Sequence, residues 1–139
     1  MSTEKIVPAV TPEFEPFFAA AREGTLVVQR CGSCGTLRFP ARSLCARCLS
    51  STTEWIPVSG RGEVYSFFWM HQVYHPSFAD DVPYAVAVVK LEEGPTMTTN
   101  VLDCSRETLR IGLRVEVVFE SRGDLRLPQF RPREEPSGP

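Results

Sequence analysis

Four cysteines in the stretch CGSCGTLRFPARSLCARC, at positions 31, 34, 45 and 48, limit what this chain can fold into more than any other feature. Their spacing is C-x2-C-x10-C-x2-C. Two Cys-x-x-Cys turns joined by a β-hairpin bring four thiolates together, the tetrahedral sulfur set that zinc takes at about 2.3 Å per bond. Gly32 and Gly35 each follow a cysteine, where the missing side chain eases a tight turn. With Cys31, Cys34, Cys45 and Cys48 all bound, no coordination position is left for water or substrate. The expected ion is therefore structural and not catalytic. A redox Cys-x-x-Cys is the competing reading, and the second pair argues against it.

The redox compartment matters to that choice. No apolar run in the 139 residues approaches the roughly 20 needed to span a bilayer. The start, MSTEKIVPAVTPEF, lacks the basic-then-apolar pattern of a secretory signal. Cytoplasm is the expected location, where thiols stay reduced and bind metal in preference to forming disulfides. Hydrophobic residues make up 42% and charged ones 23%, as in a globular chain long enough for one ordinary domain and a small appendage. The formal charge of −2 and pI near 5.7 argue against nucleic-acid binding as the main task, which calls for excess Lys and Arg.

Around the cysteines the pattern divides the chain. Residues 1–12 read as a loose polar arm. In PEFEPFFAAAREG, residues 12–24, Phe14, Phe17, Phe18 and Ala21 recur at helical spacing and Gly24 closes the segment, so an amphipathic helix is predicted. Its phenylalanines need cover from the chain or from a partner. LVVQRC leads as a strand into the cysteine module and WIPVSG leaves it. From Gly62 onward, GEVYSFFWMHQ, VPYAVAVVKLEE, PTMTTNVL, LRVEVVFES and LRLPQFRP read as five strands. Glu93-Gly94 turns the hairpin between the second and third, and DCSRETLRIG carries a helical turn. Five such strands suggest a small closed or half-closed barrel, because closure removes exposed edges. Tyr65, Phe67 and Trp69 alternate on one strand and are read as barrel core, with a stacking face as the alternative. The tail RPREEPSGP reads as disordered.

Charge is uneven. Residues 22–61 hold Arg22, Arg30, Arg38, Arg42, Arg47 and Arg61 against Glu23 and Glu54, a formal +4. Four thiolates around Zn2+ carry −2, leaving about +2. The remaining residues hold nine basic and fifteen acidic groups, or −6. The cysteine module is thus a cationic patch on an acidic protein, either plain solvated surface or a site for phosphates or an acidic partner.

Little else suggests chemistry. His71 and His75 bracket Gln-Val-Tyr near Asp80 and Asp81, but Pro76 and the preceding strand argue against a helix that would face both histidines one way. A loop metal site or acid–base pair is weighed there against an ordinary polar loop. Cys104 has no histidine near it in sequence and reads as a small core residue. No phosphate loop, GxSxG elbow or HExxH is present. Nothing assembles a nucleophile, a base and an oxyanion site.

The order of parts resembles the DUF35 family. It is carried by a helix, a four-cysteine ribbon with FPxR between its halves, then W-x-x-x-SG-x-G-x-VYSF, PYAVAVVKLEEG, L-x-IG-x-x-V-x-V-x-F and LPQFRP, over roughly residues 13–132. The resemblance implies a mainly β fold: an N-terminal helix, a rubredoxin-like four-cysteine zinc ribbon, then a five-stranded OB-fold barrel. The domain boundaries read as 1–25 for arm and helix, 26–58 for the ribbon, 59–132 for the OB-fold domain and 133–139 for the tail. It implies a non-catalytic accessory subunit of a thiolase-superfamily acyl-CoA enzyme, a retro-aldolase or thiolase such as those of steroid or aromatic side-chain degradation. The partner is then a thiolase-fold catalytic subunit in a heterotetramer, without nucleic acid or membrane. Arg38, Arg42 and Arg47 become candidate contacts to the phosphates of a coenzyme A thioester, with Phe39 beside its adenine or the partner. Two rivals stand against this: an OB-fold module for single-stranded nucleic acid, and a self-standing hydrolase or hydratase using His71, His75 or Cys104.

Overall fold

Two β units form from these patterns, with one helix packed against both. The computed structural model describes residues 7–133. Helix α1 spans Glu15–Arg22, with Pro16 in the first turn, where an absent N–H costs nothing. It is shorter than the periodicity suggests. Residues 12–14 form a turn in which Phe14 N–H donates to the Thr11 carbonyl at 3.0 Å. The helix ends in a Schellman motif: Gly24, at φ +81°, donates to the Ala21 carbonyl and Thr25 to that of Ala20, both at 3.0 Å. Arg126 Nη1 reaches the Arg22 carbonyl at 3.1 Å and places a cation at the negative helix end.

The first unit is a three-stranded antiparallel sheet of β1 (Val27–Cys31), β2 (Leu37–Arg38) and β3 (Thr53–Pro57), in the order β2-β1-β3. The second is a closed barrel of β4 (Arg61–Met70), β5 (Tyr84–Leu91), β6 (Thr96–Val101), β7 (Arg114–Arg122) and β8 (Leu125–Pro132). Its order is β4-β5-β6-β8-β7, closing through Gly62↔Val115. All five sequence-predicted strands are present. Gly94, at φ +117°, turns the β5–β6 hairpin, and Leu109 N–H to the Ser105 carbonyl at 3.0 Å supplies a single helical turn in the β6–β7 loop. A 3-10 turn at Pro76–Phe78 lies between β4 and β5. Among the described residues no helix is long and apolar enough to cross a membrane. Of the tail RPREEPSGP expected to be disordered, Arg131 and Pro132 instead end β8, paired with Glu116 and Val115, and Arg133 N–H donates to the Arg114 carbonyl at 2.9 Å, while residues 134–139 lie outside the described residues. Residues 1–6 of the expected arm also lie outside them.

One apolar cluster runs through both units, from Phe17, Leu26 and Val28 to Val64, Val89, Val115 and Phe130. The cover that the helix phenylalanines require comes from the chain itself. Phe17 stacks at 5.3 Å from Phe39 and 6.2 Å from Trp55, while Phe14 meets Phe39 edge-on at 6.3 Å.

The aromatic alternation on β4 is only partly core. Pairing with β5 steps from Val64↔Val89 to Ser66↔Val88, so Tyr65 is the extra residue of a β-bulge. Phe67 and Trp69 pack on the core, whereas Tyr65 is 63% exposed and Phe68 52%. A one-residue slip moves a side chain to the other face, and the sequence pattern carries no mark of it.

Gly62 lies where β5 and β7 both press on β4. A Cβ there would sit 2.5 Å from the Lys90 carbonyl oxygen and 2.8 Å from Val89 Cγ1. Gly62→Ala is expected to destabilise the fold by about 1–3 kcal/mol through overpacking. A urea titration should show a lower midpoint at unchanged slope; an unchanged midpoint would mean that the strands separate at no cost.

Candidate metal centre and arginine loop

The end of β1 delivers Cys31, and the chain then turns back on itself. Cys31 N–H donates to the Thr36 carbonyl and Gly35 N–H to the Cys31 carbonyl, both at 2.9 Å. The second turn repeats the first: Cys45 N–H to the Ser50 carbonyl at 2.9 Å, Leu49 N–H to the Cys45 carbonyl at 2.8 Å. Gly35, at φ +75°, and Leu49, at φ +64°, occupy equivalent left-handed positions. Gly32 serves differently from the sequence expectation. It needs space, since a Cβ there would lie 2.4 Å from Thr52 Cγ2.

The four Sγ atoms lie within 4.8 Å of one another, with Cys31–Cys48 at 3.5 Å and Cys34–Cys45 at 3.7 Å. A regular tetrahedron of zinc–sulfur bonds separates its sulfurs by about 3.8 Å, so the donor set and spacing fit that ion. None of these pairs is a disulfide; all five cysteines are free thiols. The Ser33 and Cys34 N–H groups point at Cys31 Sγ at 3.4 and 3.5 Å, and Arg47 N–H at Cys45 Sγ at 3.4 Å. Backbone donors from Cys34 and Ser33 pull the Cys31 thiol down to about 6, which favours the thiolate a metal needs. The Thr36 hydroxyl lowers Cys34 in the same way. Cys48 is pushed up to about 12: the Ser50 N–H draws it down, but crowding by Cys31 and the other sulfurs, with desolvation, outweighs that pull. Four sulfurs cannot all hold a negative charge side by side without a cation among them.

The residues between the turns divide into holders and exposed cations. Gln29 on β1 is 4% exposed, and its Oε1 accepts from Arg38 Nε and from the Arg42 N–H, both at 2.8 Å. Arg38 Nη2 donates to the Arg42 carbonyl at 3.0 Å and to the Thr53 hydroxyl. Its Nη1 is buried with no hydrogen-bond partner. Arg38 is thus turned inward as the brace of the loop. Phe39 is half-buried against Phe14 and Phe17. Arg30 is paired with Glu54, and Arg61 with Glu92 at 3.4 Å. Arg42 and Arg47 are exposed and make no ion pair among the described residues, so the cations left on the loop between the turns are these two, with exposed Leu44 and Leu49 near them in sequence; Arg22, on α1, is exposed as well and its Nε donates to the Asp124 carbonyl at 3.1 Å.

The other candidates do not assemble. His75 Nδ1 accepts from Ser77 N–H at 3.1 Å and caps the 3-10 turn, while His71 Nε2 meets Arg106 Nη2 at 3.1 Å. Cys104 is half-buried, its thiol raised by desolvation and partly offset by Arg110. Among the described residues only the four ribbon cysteines form a cluster able to hold a metal.

Fold and site together define a zinc ribbon followed by an OB-fold barrel. Residues 18–54 match the family described as ChsH2, rubredoxin-like zinc ribbon domain, and residues 55–120 that described as ChsH2, C-terminal OB-fold domain. The chain belongs to the DUF35 family. It is 41% identical over 95 residues to a DUF35 domain-containing scaffold protein of Methanocaldococcus jannaschii, covering 68% of this chain and 67% of that one. It is 37% identical over 126 residues to the probable enoyl-CoA hydratase alpha subunit of Thermomonospora curvata, covering 90% of this chain but 39% of that longer one. A shorter match, 39% over 64 residues, joins it to the benzoylsuccinyl-CoA thiolase subunit BbsA of Geobacter metallireducens, over 46% of this chain and 41% of that one. Among solved structures, a chain of the Ltp2-ChsH2(DUF35) aldolase superposes with a TM-score of 0.81 at 37% identity, covering 91% of this chain and 98% of that one.

Proposed function

We propose that the chain is a non-catalytic accessory subunit of an acyl-CoA enzyme that makes or breaks a carbon–carbon bond. The observation that carries this is the match along 98% of a chain from an aldolase assembly, by a protein whose own metal site has no open position. Relatives named as subunits of a CoA thiolase and a CoA hydratase support the acyl-CoA setting. The catalytic partner is a thiolase-fold subunit, and the assembly a heterotetramer around its dimer.

Within that reading the ribbon loop meets the coenzyme A phosphates through Arg42 and Arg47, because guanidinium pairs with phosphate in a bidentate, charge-assisted way. Arg38 supports the loop from behind, and Phe39 fixes it to α1. The chain alone is expected to show no turnover of acyl-CoA thioesters, and addition of the catalytic subunit that co-purifies with it should restore activity. In that complex Arg42→Ala with Arg47→Ala should raise KM for the thioester roughly ten-fold or more at little change in kcat, since each lost charged contact costs about 1.5–3 kcal/mol. Turnover by the isolated chain would sink the accessory reading. An unchanged KM would remove coenzyme A from this loop while leaving the accessory role standing.

A further inference from the structure

The two Cys-x-x-Cys turns are near repeats of each other, and the repeat fails at one atom. Cys31 and Cys45, the first sulfur of each turn, are both buried. Each takes a backbone donor from two residues on, Ser33 N–H and Arg47 N–H, both at 3.4 Å. Cys34 and Cys48, the second sulfurs, are both exposed. Thr36 and Ser50 stand in equivalent places, and the N–H of each acts on the sulfur two residues before it. Their hydroxyls differ. Thr36 Oγ1 lies 3.1 Å from Cys34 Sγ and has no other partner among the described residues. Ser50 Oγ is turned away, paired with Ser33 Oγ at 2.8 Å and accepting Thr52 N–H at 3.1 Å. The side-chain groups that act on Cys48 Sγ are the other sulfurs, Cys31 among them at 3.5 Å.

A thiolate that serves as a ligand can only accept, so toward Cys34 the Thr36 hydroxyl donates. Such a donor draws electron density from the sulfur and fixes its direction. Loss of a supporting contact of this kind typically costs about 10–100-fold in metal affinity. The same withdrawal makes the sulfur a weaker nucleophile, because attack comes from the thiolate lone pair. Access does not separate Cys34 from Cys48, since both face solvent. The hydroxyl does.

We infer that Thr36 is a positioning residue that keeps Cys34 in place as a ligand, which leaves Cys48 as the sulfur of the cluster that a soft electrophile modifies first. This holds whether or not the chain is an accessory subunit. With iodoacetamide the step is a displacement at one sulfur. The Cys48 S–C bond forms, the C–I bond breaks, iodide leaves, and the thioether produced has lost the negative charge a ligand needs. The test uses the full chain loaded with one zinc per molecule and limiting iodoacetamide. Peptide mass spectrometry follows each cysteine, and a chelating dye follows released zinc.

Cys48 should be modified at least about five-fold faster than Cys34, and zinc should appear in step with it. Modification of Cys104, scored separately, should release none. Thr36→Val should raise the Cys34 rate to that of Cys48 and lower zinc affinity about ten-fold. In the cobalt-substituted chain the same change should move the sulfur-to-cobalt absorption to lower energy, which a merely structural role would not do. Thr36→Ser should restore all three. Equal rates at Cys34 and Cys48 in the unaltered chain, or Cys34 first, overturn the inference, and this comparison needs no variant. So does a folded Thr36→Val chain with an unchanged Cys34 rate and cobalt spectrum.

Discussion

Replacing Cys45 by alanine is expected to take the zinc content from one ion per chain to nearly none and to unfold the segment between the two turns. The reason lies in how little else holds that segment. β2 contributes two residues of pairing, Gln29↔Arg38 and Arg30↔Leu37, and a sheet this small is marginal in water on its own. Cys45 is 1% exposed, so its sulfur is both a ligand and part of the packing beneath the second turn. In zinc-finger peptides a structural site of this kind contributes about 10–16 kcal/mol, far more than the hairpin can supply from hydrogen bonds. Elemental analysis should read the metal loss directly. Amide signals for residues 31–52 should collapse toward random-coil positions while those of Val89 and Val115 in the barrel persist. Cys104→Ala is the matched control and should keep its metal. Full zinc in the Cys45→Ala chain would show that another ligand set is in use.

Phe130→Ala should have the second large effect, a loss of about 3–5 kcal/mol. Phe130 is fully buried and is the largest such side chain among the described residues. It also occupies the one residue pair that joins β6 to β8, so its removal opens a cavity at the weakest seam of the barrel. Truncation elsewhere in the core leaves strands still paired on both sides; here little remains to resist local separation. The thermal midpoint should fall by some 10 °C or more for a chain of this size, and the unfolding rate should rise. A fall of only a few degrees would mean that the seam collapses onto the vacated space.

The parts of this architecture that could be read before any coordinates were those whose signal is local. Two Cys-x-x-Cys turns at fixed separation describe a metal site by themselves, and β5 declares its length through an unbroken YAVAVVKL. What stayed hidden depended on neighbours distant in sequence. Arg38 looked like Arg42 and Arg47, and its inward turn is decided by Gln29, nine residues earlier on the adjoining strand. Phe39 reads as an exposed loop aromatic until α1 folds back over it. The bulge at Tyr65 exists only in the pairing with β5. The sparse pairing of β8 with β6 had a trace in the sequence, since Pro128 inside a strand withholds a donor. Knowing which strand misses that donor requires the barrel order, and a parallel β6–β8 neighbour cannot be inferred from alternation alone.

The brace formed by Gln29 and Arg38 has a consequence for association. A loop that orders on contact gives up roughly 1–2 kcal/mol of backbone conformational freedom per residue, and a partner has to make good that loss. The stretch from Arg38 to Cys48 ends in two of the four clustered cysteines and is fastened partway by a buried amide, so most of that freedom is surrendered when the chain folds. A loop ordered in advance in this way leaves a partner less of that loss to make good.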